Sequence, residues 1–592
     1  MSSIFKKRNL VNEDIAPDEI FLDDRNMPGF DEQQFEGRIE RPIARSSLYA
    51  LGGVFVLMTL VFWWKLAQMQ VVHGADFAER SSRNRIDETY IFPERGVISD
   101  RNGVPLAWNL PKQGDDSDFA KRKYIDEEGF GHILGYLGYP LKDKNGLYYQ
   151  KAYTAIDGIE SQYHQLLSGA IGKHLVEVDA RGRVVWSNTI IPPVPGKNIE
   201  LTIDAPLQHQ LYETISGVAR AGNWTAGAGA IMDINTGELI ALTSFPEYSS
   251  NVMTDRTDVQ KISEYYKDKR SPFIDRAVSG LFTPGSIVKP LIAAAALQEK
   301  IITKNTIIVS EGRIVVPNKY FPDKPSYFND WRAQGPMTVK EGIAYSSDVF
   351  FYEIGGGFGS QKGLGIDRLE KWYRNFSYGA PTGIDLEGEA SGTIPNPEWK
   401  EQHFNGDPWR IGDTYFTSIG QYGVQATLLQ PLVEAAAIAN KGTILTPHLL
   451  KDQPFPTRTL PIDQKNFDIV QEGMRKSASP IGTASVLVMD GVHFGAKTGT
   501  AELGVTKNHV NSWVIGFFPY EKPKYAFALV MEHGNKGDTK NAAYTMRKFF
   551  DWLAVSYPQY LGMKAPIATS TDAIVGRDGE AEAPIPSADS GR

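Results

Sequence analysis

The sequence predicts an α+β protein with a single N-terminal transmembrane helix, a mainly β segment and then a larger mixed domain. Three observations predict it. Residues from Leu48 to Trp64 (LYALGGVFVLMTLVFWW) are uncharged and almost wholly apolar. Residues 67–197 alternate short β-branched runs with turn signals. Beyond residue 198, helical runs such as KPLIAAAALQEKI and QPLVEAAAIANKG alternate with strand-like runs such as GAGAIMDI, NSWVIGFFP and YAFALVMEH.

The apolar run is at the short end of what crosses about 30 Å of hydrocarbon. A buried core helix would show a polar face, which this run lacks. Trp63, Trp64 and Lys65 suit a membrane interface. A long polar segment precedes the run and no small-residue cleavage site follows it, so it reads as an anchor over 46–66 rather than a cleaved signal. Arg38, Arg41 and Arg45 lie just before the span, while Lys65 is the only basic residue close behind it until Arg80. This asymmetry puts the N-terminus inside and everything after Lys65 outside the cytoplasmic membrane. Residues 1–45 are polar and acidic, the pattern of a flexible tail.

In ETYIFPERGVISDRNGVPLAWN, Asp100-Arg101-Asn102-Gly103 is a tight-turn candidate. The proline-rich IIPPVPGKN then separates residues 67–197 from a strand and amphipathic helix pattern in ELTIDAPLQHQLYETISGVARAG. That places a domain over 198–560, followed by an Ala/Pro/Ser/Asp/Glu-rich tail over 561–592 without periodicity, which predicts disorder.

With 592 residues the chain holds two or more cores. Lys and Arg total 62 against 70 Asp and Glu, a net charge of -8 with no segregated basic face, which argues against a nucleic-acid partner. Cysteine is absent, which excludes disulfides, thiolate nucleophiles and cysteine-ligated metals.

Thr283-Pro284-Gly285-Ser286-Ile287-Val288-Lys289-Pro290 opens an alanine-rich helical run. A serine in a helix's first turn with a lysine three residues on puts both side chains on one face, a nucleophile beside a base. A serine hydroxyl is weak alone, and a lysine with its pKa depressed by burial and neighbouring cations can accept its proton. The helix N-terminus supplies partial positive charge and a free N–H for an oxyanion. Ser-x-x-Lys alone means little, since Ser3-Ile4-Phe5-Lys6 also fits.

Specificity comes from two further elements. Lys497-Thr498-Gly499-Thr500 offers a cation and hydroxyls to a carboxylate, with a glycine that permits close approach by a substrate. Tyr345-Ser346-Ser347-Asp348 offers a hydroxyl at Ser346 to relay a proton and a carboxylate at Asp348 to orient Lys289 or Lys497. For Ser346 and Asp348 the plainer alternative is a helix N-cap, and both roles can hold together. Ser249-Ser250-Asn251 precedes the nucleophile and reads as a loop.

Ser-x-x-Lys, Ser-x-Asp and Lys-Thr-Gly in that order resemble the penicillin-recognising serine transpeptidases and serine β-lactamases. PERGVISDRNGVPLAWN, GHILGYLG, GIESQYHQLLSGAIG and TIDAPLQHQLYETI resemble the pedestal and domain entry of class B penicillin-binding proteins, over roughly residues 48–555. Ser-x-Asp, GIDLEGEASGTIPNPEWK and WRIGDTYFTSIGQYGVQATLLQP are most similar to the elongation type, penicillin-binding protein 2, with the division-specific paralogue as nearest rival.

The resemblance implies a dimerisation-type pedestal, a transpeptidase domain with an antiparallel sheet flanked by helices, and a D,D-transpeptidase that crosslinks peptidoglycan stem peptides and is acylated by β-lactams. By this resemblance Ser286 would attack the penultimate D-Ala carbonyl, Lys289 would take its proton and Ser346 would pass it to the leaving amine. Lys497, Thr498 and Thr500 would hold the substrate carboxylate beside Gly499, with backbone N–H groups of Ser286 and Thr500 forming the oxyanion hole. No cofactor is implied. The implied partners are the lipid bilayer, a membrane-embedded glycan polymerase of the SEDS type and elongation-complex proteins. Some relatives bind zinc between the first two motifs through Asp, His and Cys, but here that loop has neither His nor Cys, so no metal is expected. The pedestal is shortened between AWNLPKQ and GFGHILGYLG, and Tyr544 stands where the family usually has proline. A membrane-anchored β-lactamase and a non-catalytic scaffold or β-lactam sensor are the competing functions. The long pedestal disfavours the first and intact motifs the second.

Overall fold

The computed structural model describes residues 44–75, 86–111, 118–144, 148–178, 184–318, 321–504 and 507–564. The tails expected to be disordered, 1–45 and 561–592, lie almost wholly outside the described residues. The chain divides into two units, Met1–Asp87 with Val176–Ser187 and Glu88–Leu175 with Asn188–Arg592.

In the first unit, helix Arg45–Ala67 runs on through a π turn, Gln68–Val72. Across these 28 residues the most apolar window has a mean hydropathy of 1.8 and none of it is buried. At 1.5 Å per residue the helix reaches roughly 40 Å, more than a bilayer's hydrocarbon core. The Thr59 hydroxyl, the kind of polar group lipid cannot satisfy, donates to the Phe55 carbonyl at 2.7 Å.

In the second unit, strands Ile199–Glu200, Ile98–Ser99, Pro105–Asn109 and Arg122–Tyr124 pair in that order. The tight turn expected at 100–103 is present. Asp100 Oδ1 accepts from the Asn102 and Val104 N–H groups, each at 2.8 Å, and Gly103 takes φ +83°. Asp100 Oδ2 also accepts from the Ala205 N–H at 3.1 Å, so this turn satisfies an orphan donor of helix Ala205–Gly222. Behind the sheet, Glu160 is fully buried between Arg95 and Arg122, at 2.5 and 2.8 Å. Such a pair of bidentate-capable cations is what a buried carboxylate requires.

The central sheet is antiparallel, with strands Leu239–Phe245, Ala226–Asp233, Tyr525–Asn535, His509–Phe518 and Gly495–Leu503 in that order. Its strands are buried on both faces, so their sequences read as continuous apolar runs rather than alternating ones. The period of two still sorts them. Ile231, Phe527, Leu529 and Met531 pack with helices Ala205–Gly222 and Ala542–Ser556, while Ala228, Ala230, Ala526 and Ala528 face the other core. That second core holds Lys289–Gln298 and Leu429–Ala439, the latter buried at every residue. Small side chains on this face let the two helices approach closely.

One detail differs from the sequence-based expectations, and one adds to them. Ser249-Ser250-Asn251 is not a loop: Ser249 caps helix Ser250–Asp255, its hydroxyl accepting from the Val252 N–H at 3.5 Å. Tyr544 sits in the first turn of Ala542–Ser556 and donates its N–H to the Asn541 side chain at 3.1 Å, a capping bond that proline could not make.

Candidate active site

Ser286 lies in a 3₁₀ turn, Gly285–Val288, that feeds directly into helix Lys289–Gln298. A three-residue turn puts Ser286 and Lys289 on one face. The turn is clamped from outside its own helix. Phe282 and Ala426 exchange both backbone hydrogen bonds at 2.9 Å, Gly285 donates to the Gly420 carbonyl at 3.0 Å, and the Trp513 indole donates to the Thr283 carbonyl at 3.0 Å. A Cβ at Gly420 would fall 2.4 Å from the Gly285 oxygen. A Cβ at Gly499 would fall 2.8 Å from the Pro284 oxygen and 2.9 Å from Ile287 Cγ2. The glycine of Lys-Thr-Gly is therefore required by the nucleophile's own turn, which crosses the edge strand at contact, and not only by a substrate.

Ser346 sits at φ +56°, a left-handed conformation that costs a non-glycine residue about 1–2 kcal/mol. Ser347, rather than Ser346, caps helix Asp348–Gly356, accepting from the Phe350 N–H at 3.2 Å. Freed from capping, Ser346 turns inward. Lys289 Nζ lies 2.8 Å from the Ser346 carbonyl, 3.3 Å from its Oγ and 2.6 Å from Asp348 Oδ1. Lys497 Nζ donates to the same Oγ at 2.9 Å and to the Thr498 carbonyl at 2.7 Å. One hydroxyl thus bridges two lysines, both completely buried.

Lys497, Thr498, Gly499 and Thr500 lie on the edge strand Gly495–Leu503. Strand alternation gives Thr498 and Thr500 one face and Lys497 and Gly499 the other. Thr500 is exposed and Thr498 half-buried, and the Thr498 hydroxyl donates to Thr483 Oγ1 at 3.0 Å. Burial, reinforced by the charge of Lys289 and opposed by Asp348, holds the Lys497 ammonium well below the usual lysine range. An edge strand has a row of backbone groups not used by the sheet, here at the rim of the nucleophile turn.

The penicillin binding protein transpeptidase domain model matches residues 227–551, and the penicillin-binding protein dimerisation domain model matches residues 117–201. The chain belongs to the penicillin-binding protein transpeptidase family. It is 30% identical to the peptidoglycan D,D-transpeptidase MrdA of Escherichia coli K12, over 86% of this chain and 94% of the relative. Among solved structures it is similar to penicillin-binding protein 2 of Helicobacter pylori in complex with MreC, with TM-score 0.66, 26% identity and coverage of 79% and 98%. It is also similar to a chain of a peptidoglycan synthase complex that coordinates polymerization and crosslinking, with TM-score 0.67, 25% identity and coverage of 89% and 100%. Over that common length this penicillin-binding protein is of the class B, elongation type, with a pedestal and a transpeptidase domain.

Sequence reasoning missed several residues around the site of this penicillin-binding protein. Thr483 and Ser477 extend the Thr498 hydroxyl chain. The segment from Gly420 to Ala426, part of a stretch that carries the resemblance but has no role assigned from sequence, clamps the nucleophile turn. Asp330 collects donors from the turn that carries Ser346. Sequence alone assigns no role to any of these, because each acts from a distant stretch of chain. Among the described residues no group of three His, Cys, Asp or Glu side chains could hold a metal ion.

Proposed function

We propose that the chain is the elongation-type D,D-transpeptidase of its cell wall, crosslinking peptidoglycan stem peptides through an acyl-enzyme on Ser286. The observation that carries this is the convergence of Lys289, Ser346 and Lys497, from three separate segments, within hydrogen-bond reach of one hydroxyl. Ser286 Oγ attacks the penultimate D-Ala carbonyl and its proton goes to Lys289. The oxyanion meets the backbone N–H groups of Ser286 and Thr500. Collapse breaks the peptide bond, and Ser346 passes a proton to the departing D-Ala amine. An amine of a second stem peptide then takes the acyl group and restores the serine. Lys497, Thr498 and Thr500 receive the substrate carboxylate on the strand where Gly499 keeps contact with the nucleophile turn, and Asp348 holds Lys289. Penicillin acylates the same serine and leaves no exit for the ring-opened amine.

In this reading residues 46–66 anchor the chain in the cytoplasmic membrane with the N-terminus inside, 67–197 form the pedestal and 198–560 the extracytoplasmic transpeptidase domain. The single long apolar helix among the described residues and the basic residues before it support this. Anchor and pedestal bind a membrane-embedded glycan polymerase and elongation-complex proteins, a reading supported by the similarity to penicillin-binding protein 2 in complex with MreC and to a chain of a peptidoglycan synthase complex.

The test is intact mass of the detergent-solubilised full chain with benzylpenicillin, beside Ser286→Ala, followed for an hour. A stable adduct on the wild type alone is expected. No adduct, or one that turns over within minutes, overturns the proposal. Depletion should give rounded cells, and filaments would point to division instead.

A further inference from the structure

Between the nucleophile and the Ser346 turn lie two short hairpins. Arg313–Val316 pairs with Ser326–Asn329, and Ile308–Ser310 pairs with Gly335–Met337. Asp330 stands where they meet, its N–H donating to the Gly312 carbonyl at 2.8 Å. Its carboxylate is saturated with donors. Oδ2 accepts from Ser347 Oγ at 2.6 Å, Ser310 Oγ at 3.0 Å and the Val349 N–H at 3.2 Å. Oδ1 accepts from the Trp331 N–H at 2.9 Å, the Asp348 N–H at 3.1 Å and Gln334 Nε2 at 3.2 Å.

Three of these donors belong to Ser347, Asp348 and Val349, the residues that follow strained Ser346. Two are first-turn N–H groups of helix Asp348–Gly356, which have no partner in their own helix. A left-handed serine persists only where its surroundings over-determine it. Here the surroundings are one carboxylate, fixed to both hairpins, gripping the chain immediately after the strained residue. Resting on the assignment of Ser286, Lys289 and Ser346 proposed above, we propose that Asp330 is a positioning residue for proton transfer: it sets Ser346 Oγ and Asp348 against Lys289 and Lys497.

A helix cap with no such role would stabilise the fold without touching the chemistry, so the test reads chemistry per folded molecule. The second-order rate constant for acylation of the full chain by a fluorescent penicillin is measured from pH 5 to 9 for wild type, Asp330→Asn and Ser310→Ala, with active fraction fixed by adduct mass at saturation. Asp330→Asn should lower the plateau by about 10- to 100-fold, the scale of a small misplacement of reacting groups. Its acid limb should move to lower pH, because Asp348, whose N–H Asp330 holds, would sit less firmly against Lys289. Ser310→Ala weakens the grip without changing charge, and should lower the plateau a few-fold with the limb in place. Wild-type plateau and limb in both variants overturn the inference. If Asp330→Asn does not fold, Ser310→Ala decides alone, and a wild-type plateau there overturns it. If the wild type forms no adduct at Ser286, the site assignment fails and this inference falls with it.

Discussion

Replacing Ser346 by glycine and by alanine separates the two things this residue does. Both variants lose the hydroxyl that Lys497 contacts at 2.9 Å and Lys289 at 3.3 Å. Both keep the Ser346 carbonyl, 2.8 Å from Lys289, because it belongs to the backbone. Loss of the hydroxyl costs each variant the same, about 1 kcal/mol per hydrogen bond. They differ at φ +56°, where alanine retains a penalty of about 1–2 kcal/mol and glycine has none. Against that, glycine gives up about 0.5–1 kcal/mol in unfolded-state freedom. Ser346→Gly should therefore be as stable as Ser346→Ala or more so, by up to about 1.5 kcal/mol, in denaturant unfolding. Acylation should tell the opposite story. If Ser346 carries the proton, both variants lose about 10²- to 10⁴-fold in stopped-flow acylation by a fluorescent penicillin, whatever their stability. Either variant acylating within tenfold of the wild type would refute the relay.

Gly499→Ala puts a methyl 2.8 Å from the Pro284 oxygen, so the edge strand must move off the nucleophile turn. Calorimetry should show about 1–3 kcal/mol of lost stability, and acylation should fall at least tenfold, since the displaced strand carries Thr500. Because burial and the Lys289 charge hold the Lys497 ammonium low, an arriving carboxylate should raise its pKa and draw in a proton. Titrating an acyl-D-Ala-D-Ala peptide in two buffers of different ionisation enthalpy should give different heats, and equal heats would contradict this. Burial pushes the Glu434 carboxyl up to about 8, so the folded chain keeps a proton that the unfolded chain releases near 4.5. Stability contributed by this group is complete below about pH 4.5 and declines as pH rises to about 8, by at most about 1.4 kcal/mol per unit. Glu434→Gln, still able to meet Tyr378 and the Leu291 N–H, should flatten that decline in denaturant unfolding run across pH.

The anchor and the three motifs are legible in the sequence because their physics is local. A uniformly apolar helix has no globular explanation, and Ser286 with Lys289 need only one turn to share a face. What hides from the sequence is whatever depends on segments meeting. The Lys497 pKa is lowered by burial and then by a Lys289 that lies far away in the chain, and Asp330 acquires its donors only when two hairpins fold toward Ser347. Gly499 looks like a substrate contact until the nucleophile turn is found against it. Ser346 presents no signal of its left-handed backbone, since serine has no special tolerance for it. Even Ser249-Ser250-Asn251, which carries an ordinary capping residue, reads as a loop because the helix it caps, Ser250–Asp255, is too short to show periodicity.

The charges of the site form an unbalanced set: two completely buried lysines share one carboxylate, Asp348, which is itself only partly buried. A protein interior tolerates a buried cation poorly unless it is paired or loses its proton. With one anion for two lysines, burial and the charge of Lys289 both push the Lys497 ammonium toward losing its proton, and Asp348 opposes them. A carboxylate-bearing substrate supplies the missing anion, stabilises the Lys497 ammonium and is held by it. The same deficit of negative charge therefore prepares the site to bind an acid, and a second buried carboxylate beside Lys497 would satisfy the lysine and remove that ability.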